Sequence, residues 1–528
     1  MTEPWLFILG IGEDGVEGLS PAAAALLRTA GAVFGGRRHL ALAAPLIAGE
    51  AHPWPSPMAG AYPALLARRG RPTAVLASGD PFCFGIGAVL APQVPPGEFL
   101  CIPAPSAFAL ACARLGWAAQ DCATLSFCGR PLEPVLPLLQ PGARILALSA
   151  DAATPAAVAA LLTRHGFGGS RLHLLDALGG PRERLRAAAA RSFALEAGPL
   201  NLLGIEVVAG PEARVLPLAP GLPEALFEQD GQITKREVRA VTLAALAPRQ
   251  GELLWDVGCG SGSVAIEWLL RHPSMRAVGL EPRADRAARA ARNALSLGVP
   301  GLRIVEAAAP DGFGGLPAPD AVFLGGGAGQ PGLVEAAWAA LRPGGRLVAN
   351  AVTLETEAIL IAARQRWGGS LTRIGVERLD AVGTMHGYRP LMTVTQYAVE
   401  KPADPRSAAL AGIGARPSAS ATDIVALLRS AEALSGHRIA RLMAPDFRRG
   451  LPALAEAASV LGLPLGFVAR DAILAAQPRC PTRSDAALEA TGIASVAEGC
   501  ALAGGGRLVL PRIDGPGVTC ALATDHPA

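Results

Sequence analysis

Aromatic side chains, surplus charge and paired cysteines are all scarce in this 528-residue chain. Aromatics make up 5% of it, with three tyrosines, and 47 Lys+Arg against 44 Asp+Glu leave a formal net charge of +3. That balance excludes the basic, aromatic-lined surface that nucleic-acid binding needs, so no nucleic-acid partner is expected. Nine cysteines are scattered without a C-x-x-C pair or a neighbouring histidine cluster, which argues against a zinc site and against a disulfide framework. No metal is expected. Long apolar runs are missing too: the stretches 82–97 and 99–113 contain prolines and fall short of the ~20 apolar residues a bilayer requires. The opening MTEPWLFILG lacks the basic region and cleavage site of a signal peptide, so a cytoplasmic protein without a membrane partner is expected.

Alternation fills the space these absences leave. Short Val/Ile/Leu runs alternate with Ala/Leu/Arg-rich helical stretches throughout, the pattern of an α/β protein with parallel or mixed sheets. A single core stops growing near ~250 to 300 residues, so several domains are expected. Two proline-rich segments, PEARVLPLAPGLPEALF at 211–227 and EKPADPRSAA at 400–409, divide the chain into 1–212, 213–404 and 405–528. A proline-dense segment from 91 to 105 predicts a further division of the first block into two lobes. Each block begins with an apolar run entering glycines: WLFILGIG at 5, LLWDVGCG at 253 and AALAGIGA at 408.

The middle motif carries the most chemistry. Asp256, Gly258, Gly260 and Gly262 form D-x-G-x-G-x-G, whereas a dinucleotide fingerprint is G-x-G-x-x-G, so a pyrophosphate is disfavoured. Glu281 follows nineteen residues after Gly262 at the end of the next apolar run, where an acid can accept both ribose hydroxyls of an adenosine. Loop and acid together suit S-adenosylmethionine. Asp320 and Asn350, on later strands, are candidate polar groups around the same crevice, with a capped turn as the alternative reading of each. Arg283, Arg286, Arg289 and Arg292 recur every three residues and read as a solvated helix face without a role.

The run DGQITKREVRAVTLAALAPRQGELLWDVGCGSGSVAIEW, with VGLEP and NAVTLE downstream, resembles the precorrin-6Y methyltransferases of cobalamin biosynthesis over most of 228–400. The resemblance implies a Rossmann-like domain that binds S-adenosylmethionine. It also implies that the T-K-x-E-V-R segment lies beside the cofactor, which points to Thr234, Lys235, Glu237 and Arg239, with Asn350, as catalytic candidates.

The first block resembles the tetrapyrrole methylases to about residue 210, through WLFILGIGEDGVEGLSPAAAALLRTAGAVFGGRRHL, VLASGDPFCFGIG and IPAPSAFALACARLGW. That resemblance implies a different, two-lobed fold holding a second S-adenosylmethionine between its lobes, with Gly10, Gly12, Gly79, Asp80 and Ser106 as its candidates. An Asx turn before Pro81 is the alternative for Asp80, and PAPSAF departs from the family's usual turn at Ser106. Arg37, Arg38 and His39, following Gly35 and Gly36, could meet substrate carboxylates or face solvent, with His39 read as structural.

The third block, through LAGIGARPSASATDIVALLRSAEAL and LVLPRIDGPGVTCALA, is similar to the small α/β domain ending the cobalt-precorrin-5A hydrolases. Together the resemblances imply two methylations of one precorrin substrate, at carbons 5 and 15, with loss of carbon dioxide, by a homo-oligomeric enzyme. A methyltransferase of another small molecule or of RNA, with non-catalytic flanking modules, is the alternative; a nicotinamide oxidoreductase would need the loop at 258 to take a pyrophosphate despite its spacing.

Overall fold

In the computed structural model, which describes residues 4–402 and 409–524, each block builds its own sheets. The expected break around 400–409 lies largely outside the described residues.

The first sheet is parallel, in the order Glu50–Pro53, Ala32–Gly35, Thr73–Ser78, Leu6–Ile11, Phe99–Ile102. Leu6–Ile11 is buried at every position, as a covered interior strand of a parallel sheet must be. The second sheet is mixed, in the order Cys122–Ser126, Arg144–Leu148, Asn201–Glu206, Arg171–Asp176, Arg184–Ala189. The division between these lobes falls later than the prolines suggest. Phe99–Ile102 is still an edge strand of the first lobe, and the chain crosses over in the helix Ala107–Leu115, whose Phe108 and Cys112 pack with Leu146, Leu175 and Leu202 of the second.

The segment 211–227 is proline-rich but not loose. Ala213 and Val215 pack on the second-lobe core, whereas Leu216, Leu222 and Phe227 are buried in the core of the middle block. The chain therefore changes cores between Val215 and Leu216.

The middle block is a seven-stranded sheet in the order Arg303–Val305, Arg276–Leu280, Leu253–Val257, Ala321–Leu324, Arg346–Ala351, Val394–Glu400, Ser370–Ile374. All its pairs are parallel except the two made by Val394–Glu400. Strand order reverses beside Leu253–Val257, so a crevice opens at the carboxyl ends of that strand and Ala321–Leu324. A two-stranded hairpin, Glu377–Val382 with Met385–Pro390, extends from this block.

The sheet of the third block runs Leu465–Val468, Ile439–Pro445, Ala409–Ala415, Val518–Thr524, Arg507–Gly515. Here the expected glycine turn is not one: Gly412 and Gly414 lie within the strand Ala409–Ala415, and a Cβ at Gly412 would overlap the backbone of Ala497 and Ala501 in the helix Val496–Leu502 packed on it. Ser420 caps the helix Ala421–Ser435, accepting from the Asp423 amide at 3.1 Å.

Candidate active sites

In the middle block the apolar strand Leu253–Val257 feeds a loop whose three glycines, 258, 260 and 262, all have positive φ, a backbone that side chains with a Cβ resist. Asp256 is 1% exposed, and its Oδ2 accepts the Ala265 amide at 3.0 Å, tying the loop to the helix Ser263–Leu269. Burial pushes the Asp256 carboxyl up to about 7; the Ala265 amide opposes that rise and nearby Glu281 adds to it. Asp256 therefore shapes the loop from within the fold. Burial also drives the Cys259 thiol well above its ordinary range, which removes it as a thiolate nucleophile.

Glu281, 4% exposed, accepts the Gly260 amide at 3.0 Å through Oε2 and the Arg283 amide at 3.2 Å through Oε1. A carboxylate has about four lone-pair sites, so two stay available to the hydroxyls of a ribose. Across the crevice, the Gly326 and Gly327 amides lie 4.0 Å from where a Gly258 Cβ would stand. The residues present therefore fit an adenosine: bare backbone on two loops and one buried acid beside them.

The lead-in segment 228–235 crosses this loop, and the Gln232 carbonyl lies 3.9 Å from the Cβ position of Gly260. Thr234 and Lys235 sit half-buried at the start of the helix Arg236–Leu246. Glu237 turns away and pairs with Arg378 of the hairpin at 2.6 Å. Arg378 also holds Glu224 at 2.9 Å; burial would raise the Glu224 carboxyl, but Arg378 and the Arg236 amide bring it down to about 2.

Three expected contacts are corrected here. Arg239 is 0% exposed: its Nε donates to Glu267 Oε1 at 2.5 Å, and its other nitrogens donate to the Thr234 and Leu222 carbonyls. It anchors the lead-in segment and cannot touch a substrate. Asp320 stands at the start of its strand, where Oδ2 accepts the Leu253 amide at 2.8 Å and Oδ1 pairs with Arg342. That is at the amino ends of the strands, opposite the crevice. Gly10, buried in its strand, lies beneath the first cleft; a Cβ there would overlap Gly79 O and Ala104 N. Asn350 has its amide engaged by Thr242 at 3.0 Å and Gln396 at 3.0 Å.

Between the two lobes of the first block lies a cleft of about 380 Å³, a volume suited to a small organic ligand. Gly12, Gly79, Asp80 and Ser106 all line it. Asp80 does form the Asx turn, Oδ1 accepting the Phe82 amide at 2.8 Å, and Ser106 caps the helix Ala107–Leu115 through the Ala109 amide at 3.1 Å. The polar end of the cleft is richer than the sequence reading had it. Arg38 pairs with Glu13 and donates to Ser78 Oγ at 2.9 Å, and His39 Nε2 lies 2.8 Å from the same hydroxyl. Burial, then Arg38, push His39 down to about 4, so its imidazole is neutral at pH 7. The G-G-R-R-H sequence was the available signal, but nothing local says that Ser78, forty residues later, closes the network.

Three family models match the chain in succession: Tetrapyrrole (Corrin/Porphyrin) Methylases over 6–194, Precorrin methyltransferase domain over 225–401, and Cobalamin synthesis G C-terminus over 409–523. A Sinorhizobium protein named precorrin-6Y C(5,15)-methyltransferase [decarboxylating] is 54% identical over 402 residues, covering 76% of this chain and 97% of that one. The chain belongs to the precorrin-6Y C(5,15)-methyltransferase family. A Mycobacterium tuberculosis protein of the same name is 41% identical over 399 residues, 75% of this chain and 100% of that one. A shorter Pyrobaculum calidifontis protein, named probable cobalt-precorrin-6B C(15)-methyltransferase (decarboxylating), is 34% identical over 189 residues, 34% of this chain and 96% of the relative.

As a member of the precorrin-6Y C(5,15)-methyltransferase family, the chain is an enzyme that uses S-adenosylmethionine, and the nicotinamide alternative falls. Among the described residues no helix is long and apolar enough to cross a membrane, and no group of three or more His, Cys, Asp or Glu is placed to hold a metal.

Proposed function

We propose that the chain methylates precorrin-6Y at carbons 5 and 15 and removes carbon dioxide from the ring C acetate, giving precorrin-8X, with one S-adenosylmethionine site in each of its two crevices. The observation that carries this reading is the pair of glycine-lined crevices on two unrelated sheet topologies within one chain. We assign carbon 5 to the first block and carbon 15 with decarboxylation to the middle block. The Pyrobaculum relative supports the second assignment, because its printed name joins carbon 15 and decarboxylation in a protein about one block long.

In this reading the macrocycle supplies the carbon nucleophile. S-adenosylmethionine, when bound, would supply the methyl group from its sulfonium, and the residues of each crevice would have to align it with the macrocycle's carbon in a site closed to water. Gly12, Gly79, Asp80 and Ser106 hold the first cofactor; Gly258, Gly260 and Glu281 hold the second. Arg38 and Ser78 in the first block, and Thr234 and Lys235 in the middle block, face the substrate's carboxylates. Decarboxylation leaves its electron pair in the conjugated ring, so the site's task is to favour the developing neutral product over the bound carboxylate.

The proposal includes a cytoplasmic homo-oligomer: Leu379, Met385 and Tyr388 on the hairpin are exposed and apolar, a surface that self-association would cover. The test uses two fragments, cut where the chain changes cores. Residues 1–215 should add one methyl to precorrin-6Y without losing carbon dioxide. Residues 216–402 should add one methyl and release it. Mass spectrometry of the products reads both, and decarboxylation by the first fragment would overturn the assignment.

A further inference from the structure

In the arginine row, Arg286 and Arg289 are half-buried and not simply solvated, whereas Arg292 stays exposed as a solvated face would have it, although it is paired. Arg286 Nε donates to Asp230 Oδ2 at 2.9 Å and its Nη2 to Gln232 Oε1 at 2.6 Å; Arg289 pairs with the same Asp230 oxygen at 3.0 Å; Arg292 holds Glu228 at 2.8 Å. Arg283 differs, pairing with Asp285 on its own helix. Side chains spaced three apart on a helix form a stripe, and this stripe faces the lead-in segment from end to end. Asn293 adds a backbone clasp: it accepts the Glu228 amide at 2.8 Å and donates to the Glu228 and Ser261 carbonyls at 2.9 Å each. Hydrogen bonds from Arg289 hold the Asp230 carboxyl below the ordinary range, though partial burial opposes them.

Residues 228–235 have neither helix nor strand of their own. They are fixed at one end by Asn293 and at the other by buried Arg239, and in between they rest on ion pairs at a partly exposed surface. That middle portion puts Gln232 over Gly260. Ion pairs of this kind exchange with water and salt at low cost, whereas the two anchors do not.

We propose that Arg286, Arg289 and Arg292 are positioning residues for the middle block's cofactor: they latch residues 228–233 across the glycine loop, and opening the latch admits and releases S-adenosylmethionine. This rests on the reading that the loop at 258–262 holds that cofactor.

The test is site-resolved hydrogen–deuterium exchange on the full chain, read by mass spectrometry with and without S-adenosylmethionine, alongside carbon dioxide release from precorrin-6Y. In R286Q/R289Q, exchange over 228–235 should rise while strand 253–257 stays protected. KM for S-adenosylmethionine should rise about fivefold, the scale of a small ion-pair network, with kcat within about twofold. Lysine at both positions should restore most of the change. About 1 M NaCl, which shortens the screening length to about 3 Å, should open the same segment in the unsubstituted chain. A merely structural row would lower stability without splitting KM from kcat. Unchanged exchange over 228–235, in the variant or in salt, overturns the latch, and so does raised exchange with an unchanged KM. If S-adenosylmethionine fails to protect 253–262 in the unsubstituted chain, the cofactor assignment itself falls and the latch with it.

Discussion

Arg239→Met separates a catalytic from an anchoring role for the fully buried arginine of the helix Arg236–Leu246 that holds the lead-in segment. Arg239 and Glu267 are both 0% exposed. Glu267 also accepts the Gly221 amide at 2.7 Å and the Leu222 amide at 2.8 Å, and the guanidinium stacks on Phe227 at 4.9 Å. Methionine fills the volume but leaves Glu267 charged in the interior, a loss of about 3 to 5 kcal/mol. The Thr234 and Leu222 carbonyls also lose their donor, at about 1 kcal/mol or more each where water cannot replace it. These losses overlap, so we expect about 4 kcal/mol. In a block of this size each kcal/mol shifts Tm by about 2 to 4 °C, which predicts a fall of about 8 to 16 °C in the middle-block transition. Calorimetry of the full chain measures it, with the first-block transition as internal reference. Adding Glu267→Leu should recover roughly half the loss, because replacing both charges removes the uncompensated one. A fall below about 2 °C, or loss of carbon dioxide release with Tm unchanged, would refute the anchoring role and return Arg239 to the reaction.

Glu281→Ala should weaken one of two S-adenosylmethionine sites by about 1.5 to 3 kcal/mol, the scale of hydrogen bonds to a charged group; calorimetry that finds a single site in the unsubstituted chain would overturn the two-site reading. Gly10→Ala should abolish methylation without decarboxylation, since its Cβ would push Gly79 and Ala104 apart; product mass spectrometry would show carbon dioxide loss retained. Asp256→Asn should flatten the pH dependence of stability. The unfolded carboxyl ionises near 3.9 while the buried one holds its proton to about 7, so the contribution of Asp256 to stability is complete below the first value, declines between the two and is gone above the second. Urea midpoints of the variant should match the unsubstituted chain near pH 4 and exceed it at pH 8. Removal of residues 403–528 should leave both methylations and carbon dioxide release within about twofold, as the third block builds a core of its own.

Periodicity and glycine punctuation made the blocks and the middle loop legible, because strand, turn and helix there are set by neighbours in sequence. What escaped depended on direction or on return paths. Asp320 was placed at the crevice from its strand, yet it immediately precedes Ala321–Leu324, and in a parallel sheet the start and end of a strand lie at opposite ends of the sheet. The arginine row had the spacing of a stripe, but a helix does not state which distant segment comes back to lie on it; Glu228 and Asp230, more than fifty residues earlier, do. Arg239 was a catalytic candidate from its place in the T-K-x-E-V-R segment, and only its buried partner on the next helix, Glu267, shows that its charge is spent inside the fold. At Gly10 the motif was visible, but the reason for it, another backbone lying directly on the strand, is tertiary.

The floor of the first-block cleft is main chain laid on main chain at Gly10, Gly79 and Ala104, and this constrains how its specificity can evolve. A side chain cannot be introduced at Gly10 or Gly79 without parting these backbones, so mutation has no gradual path through those two positions. Variation is open to the walls, at Ser78, Phe84 and Met58 of the first lobe and Ser149 and Asn201 of the second. On the two-site proposal, new substrates would be reached by redecorating a cleft whose floor stays frozen, which makes the wall residues the ones to randomise when methylation is to be redirected to other macrocycles.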